Sequence, residues 1–104
     1  MKTREETLLE MLAQDPNSSF ARYALAQEYA GSGRLDQAAG EFARLIEADP
    51  AYAPAYYHGG KALEKLGRGD DARSLYRRGI EACQRNGNAH ALSEMQAALD
   101  ELGE

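Results

Sequence analysis

The chain repeats itself every 34 residues. Asp15-Pro16 returns as Asp49-Pro50, and Gly33-Arg34 returns as Gly67-Arg68. Asp36, Ala38, Phe42, Ile46, Glu47 and Ala48 return as Asp70, Ala72, Tyr76, Ile80, Glu81 and Ala82. Most recurring positions are apolar or turn-forming, as a stack of similar units requires. A fixed period of this length implies stacked helical units, each burying its apolar face against the next.

Punctuation along the chain predicts six helices. The first covers 3–13, with Leu8, Leu9, Met11 and Leu12 as its apolar stripe. Thr3 and Glu6 have the spacing of a capping box. Asp15-Pro16 stops it, because proline disfavours helix in the residue before it. Asn17 or Ser18 caps a second helix over 18–31. Gly31-Ser32-Gly33 turns the chain into a third, over 35–48. A fourth covers 53–66, where Pro54 fits the first turn. Asp70 is expected to cap a fifth over 70–84. Asn86-Gly87-Asn88 breaks the chain before a sixth, over 89–102. Every connection is short, so neighbouring helices should pack antiparallel.

Composition narrows the class. A chain of 104 residues with 43% apolar and 28% charged residues suits one ordinary globular domain. No run is long and apolar enough for a membrane span, and the N-terminus has no apolar signal segment. The single cysteine, Cys83, excludes an internal disulfide and fits a cytoplasmic location. A net charge of −5 argues against nucleic acid as the main partner. The charge is uneven: residues 61–85 carry seven basic and four acidic groups between two acidic ends. This basic block is read either as a solvated surface with intrahelical pairs or as a docking site for an acidic segment.

No catalytic or metal constellation stands out. His58 and His90 are the only histidines, and no His/Cys/Asp/Glu cluster has ligand spacing. Cys83 lacks the base and orienting group a thiol nucleophile needs. There is no phosphate-binding loop. The chain is expected to be no enzyme and to carry no cofactor.

The residues resemble those of the tetratricopeptide repeat family. One repeat, 19–52, matches through Leu25, Ala26, Tyr29, Gly33, Ala38, Phe42 and Pro50. A second, 53–86, matches through Tyr56, Gly60, Leu63, Gly67, Ala72 and Tyr76. Residues 3–18 look like a preceding half-repeat, and 88–102 like a capping helix. The resemblance implies an all-α, right-handed superhelix of antiparallel helix pairs in a single domain.

It also implies function: a non-enzymatic adaptor holding a peptide or helix of another protein in its concave groove. First-helix positions would line that groove: Phe20, Tyr23 and Gln27, then Tyr57, His58, Lys61 and Lys65. Tyr23 and Tyr57 are 34 residues apart and would be the anchors, with Gln27, His58 and Lys61 orienting. The partner is expected to be protein, whether or not acidic, and not nucleic acid or membrane. The alternative is self-assembly into dimers or stacks through the Leu92/Met95/Leu99/Leu102 stripe. The lysine, asparagine and arginine set with which some members grip a C-terminal carboxylate is absent: Tyr23, Gln27 and His58 occupy three of its places. Three departures stand out. Arg22 replaces a large aromatic, Gly59 replaces a leucine, and Cys83-Gln84 replaces the second repeat's terminal Asp-Pro. Gly40, Gly59 and Gly79 lie inside predicted helices, where glycine costs about 1 kcal/mol relative to alanine.

Overall fold

A computed structural model describes residues 1–103. They form six α-helices: α1 (Arg4–Gln14), α2 (Ser19–Gly31), α3 (Leu35–Ala48), α4 (Ala53–Lys65), α5 (Gly69–Asn86) and α6 (Ala89–Leu102). Each helix packs on its neighbours in sequence.

Side-chain caps open three of the six helices. Thr3 accepts from the Glu6 amide at 3.1 Å while Glu6 accepts from the Thr3 amide at 2.9 Å, completing the capping box. Ser18 caps α2 and Asn88 caps α6. The period is visible in the backbone. The Arg34 and Arg68 amides donate to Tyr29 and Leu63 carbonyls, both at 2.9 Å. In both turns a glycine, Gly33 or Gly67, adopts the left-handed conformation that closes the helix end.

The fifth helix departs from expectation. It starts at Gly69 with no side-chain cap, and Asp70 pairs with Arg73 at 2.7 Å instead. Asp71 pairs with Arg68 at 2.8 Å. Without an Asp-Pro to stop it, α5 runs on to Asn86, where Gly87 in left-handed conformation ends it. As a result α6 begins two residues later than the 34-residue period would place it.

The core runs the length of the stack. Tyr29, Phe42, Tyr56 and Tyr76, assigned to packing by their repeat positions, are all buried. The α6 stripe turns inward onto α5: Met95 and Leu99 are buried, and Leu92 and Leu102 pack against the core. Gly59, Gly60 and Gly79 sit under close contacts. A Cβ at Gly59 would lie 3.0 Å from Leu75 Cδ2, and one at Gly60 would strike the Tyr76 ring. Tight packing therefore offsets what glycine costs at these positions.

Arg22 uses an ion pair where the family has an aromatic. Its guanidinium meets Glu41 at 2.6 Å, both side chains largely shielded, and donates to the Pro16 carbonyl at 3.1 Å. Arg4 has a similar lesson. Its repeat equivalents Ala38 and Ala72 are fully buried against helices, whereas Arg4 is exposed and pairs with Glu28 at 3.3 Å. A charged group therefore stands where a further stacked helix would need a small residue.

Candidate functional site

The first helices of the pairs form one face. α2 touches α4, and α4 touches α6, whereas α3 and α5 stand apart. Contact on one side and separation on the other curve the stack toward the α2–α4–α6 side. That side is the concave face.

Aromatic rings line it in a row. Tyr23 of α2 meets Tyr52 at 5.4 Å between centroids and His58 of α4 at 5.8 Å. His58 meets Tyr57 edge-on at 5.1 Å. Phe42 closes the row from beneath, stacked against His58 at 6.4 Å. Tyr23, Tyr52, Tyr57 and His58 are each half-buried, with one part on the core and one part open. Edge and tilted geometries suit the ring quadrupoles, so the row is a fixed surface rather than a loose set of side chains.

Polar groups flank the rings. Gln27 Nε2 donates to the Tyr23 hydroxyl at 3.2 Å, one helical turn along α2. Lys61 Nζ lies 5.5 Å from the Tyr57 ring centre and 3.7 Å from Glu64. The Tyr76 hydroxyl donates to the same Glu64 carboxylate, tying α5 to α4 below the face. Burial pushes the phenols of Tyr23 and Tyr76 up, with Glu64 adding to the shift at Tyr76. Both stay neutral hydrogen-bonding groups. Burial also pushes His58 down, against an opposing pull from Glu94 on α6.

The structure brings Tyr23, Gln27, Tyr57, His58 and Lys61 into one continuous surface. It does not bring Phe20 and Lys65 into that cluster. Phe20 projects from the first turn of α2 at 67% exposure, and Lys65 is the last residue of α4. Ala24, which the family resemblance also places on the groove side of α2, is buried. Tyr52 and Glu94 join the face although the sequence reading passed over them. Tyr52 precedes α4 as its cap residue, and Glu94 lies on α6, which resembled a capping helix rather than a groove-lining one.

Among the described residues no group of His, Cys, Asp and Glu could hold a metal ion. Cys83 is buried, and burial raises its thiol pKa, the reverse of an activated nucleophile. No described helix is long and apolar enough to cross a membrane.

Comparison with known proteins agrees with this architecture. The tetratricopeptide repeat family model matches residues 29–99. A tetratricopeptide repeat domain protein from Salinibacter ruber is 43% identical. The match covers 86% of this chain and 90% of that one, with a TM-score of 0.80. A protein from Bordetella parapertussis is 30% identical over 98% of this chain and 89% of its own, with a TM-score of 0.83. MamA, at 21% identity, shares the fold over 94% of this chain and 64% of its own, with a TM-score of 0.71. No curated protein gives a significant match. The all-helical architecture, the family model over residues 29–99 and these similarities lead to one conclusion: the chain belongs to the tetratricopeptide repeat family.

Proposed function

We propose that the chain is a non-enzymatic adaptor that holds a peptide or helical segment of another protein on its concave face. The observation that carries this is the half-open row of Tyr23, His58 and Tyr57 across two successive repeats. Half-buried rings present rigid apolar area at low entropy cost. Gln27 and Lys61 beside them supply direction, the amide by hydrogen bonding and the ammonium by pairing with a partner's carboxylate. Lys65 extends the basic edge, and Phe20 offers an apolar contact at the far end of α2. The alternative, self-assembly through α6, draws no support from the Leu92/Met95/Leu99/Leu102 stripe, which lies on α5.

The test is affinity capture from cell lysate with the wild type and a Gln27→Ala/Lys61→Glu variant. These substitutions spare the rings, which also pack on the core. A prey protein held by the wild type and lost by the folded variant supports the reading. A prey held equally by both removes the concave face as the binding surface.

A further inference from the structure

On the opposite, convex side, the gap between α3 and α5 is a groove of about 650 Å³. Gly59 and Leu63 of α4 lie at its floor. The α3 wall presents Asp36, Gly40, Ala43 and Glu47, a stripe on one face that spans about three helical turns. The α5 wall presents Asp71, Ser74, Leu75 and Arg78.

The repeat supplies an internal control. The equivalent crevice between α1 and α3 has Leu25 and Tyr29 where this one has Gly59 and Leu63. It is bridged by Arg34 reaching Glu5 at 2.7 Å, with the guanidinium 4.7 Å from the Tyr29 ring centre. In the second crevice Arg68, the counterpart of Arg34, turns back to Asp71 of its own helix at 2.8 Å. The second crevice is therefore left unbridged.

Gly40 adds an independent reason. Glycine within a helix costs about 1 kcal/mol relative to alanine. At Gly59, Gly60 and Gly79 a Cβ would press on a neighbour from another helix. At Gly40 no atom of another helix lies within 4 Å, and the nearest side-chain atom is Arg44 Nη1 of α3 itself, at 4.0 Å. Nothing within the chain requires the bare backbone there, but a helix lying in the groove would approach closest at that point.

Charge identifies what would lie there. Arg68 and Asp71 neutralise each other, and Arg44 is engaged by Glu41 at 2.7 Å. Asp36 and Glu47 on the α3 lip, and Arg78 on the α5 lip, form no ion pair among the described residues. One lip is thus acidic at two points about three turns apart, and the other is basic.

We infer that this groove is a second docking surface, for an amphipathic helix of another protein. That helix carries basic side chains on the flank facing α3, a carboxylate on the flank facing α5, and aliphatic side chains between them. The surface is separate from the concave face, so one chain can hold two partners at once.

The test uses the full isotope-labelled chain and two synthetic, helix-constrained peptides of about 14 residues, long enough to span three turns. Both carry central leucines four residues apart. The first has lysines on one flank and glutamates on the other; the second has glutamates on both, so that neither direction of docking pairs Asp36 and Glu47. The first should shift the amide resonances of Gly40, Ala43, Ser74 and Leu75 and bind at least about tenfold tighter than the second. Gly40→Leu fills the groove in open space and should abolish binding without unfolding the chain. Asp36→Asn with Glu47→Gln should weaken the first peptide about threefold or more. Equal binding of both peptides overturns the proposal, as does binding that survives Gly40→Leu. Shifts confined to α2 and α4, or none at ~1 mM peptide, overturn it too.

Discussion

Met95 of α6 seats its sulfur against the bare backbone of Gly79 on α5. A Cβ at position 79 would collide with that sulfur and fall 2.7 Å from Tyr56 Cβ on α4. Gly79 is thus where three helices meet, and its missing side chain sets how closely they approach.

Gly79→Ala should therefore destabilise the fold by about 1–3 kcal/mol, the cost of overpacking, although alanine is the better helix former. Urea denaturation of the two proteins measures the difference. An unchanged or raised midpoint would mean that α6 is loosely docked.

Gly40→Ala should move the opposite way. The position is mid-helix, open, and free of positive φ. The substitution should stabilise by up to about 1 kcal/mol through helix propensity and a less flexible unfolded chain. The same denaturation experiment reads it. A loss of stability would show a contact at Gly40 within the chain.

The Arg22–Glu41 pair should be worth more than an ordinary surface ion pair. The two side chains are 18% and 13% exposed, so solvent screens them weakly. Arg22 joins α2 to α3 and to the carbonyl of Pro16 in the preceding turn. A double-mutant cycle with Arg22→Ala and Glu41→Ala should give a coupling above about 1 kcal/mol. Surface pairs such as Lys2–Glu10 should give less. A coupling near zero at Arg22–Glu41 would leave its role to packing of the alkyl stem.

Most of the fold was legible because the signals were local and appeared twice. Asp-Pro ended α1 and α3, glycine at 33 and 67 closed equivalent turns, and the Thr3–Glu6 spacing gave a capping box. Asp70 has the chemistry of a cap, yet Arg73 one turn on competed for its carboxylate. The end of α5 had no Asp-Pro, and the helix runs two residues past the expected end at 84, to Asn86, whereas α6 begins at Ala89 as expected. Glu94 was not placed on the concave face because α6 resembled a capping helix rather than the first helix of a repeat. The convex groove was illegible for another reason. It depends on two helices that do not touch, and only the packing around each glycine separates Gly40 from Gly59 and Gly79.

His58 should make the fold sensitive to mild acid. Its imidazole lies among Tyr23, Tyr57 and Phe42, and burial lowers its pKa below the ordinary value of 6.5. Glu94 across the face pulls the other way and limits the shift. The unfolded chain thus takes up the proton first as pH falls. Stability contributed by neutral His58 is fully present above the unfolded pKa. It declines through the window below 6.5 and levels off once the folded imidazole is protonated. Stability measured between about pH 5 and 8 should therefore rise with pH. His58→Gln should flatten that rise, and Glu94→Gln should steepen it by removing the carboxylate that favours the charged ring. A wild-type slope unchanged by His58→Gln would assign the effect to other groups. An NMR titration placing the folded imidazole above 6.5 would mean that Glu94, not burial, governs the concave face.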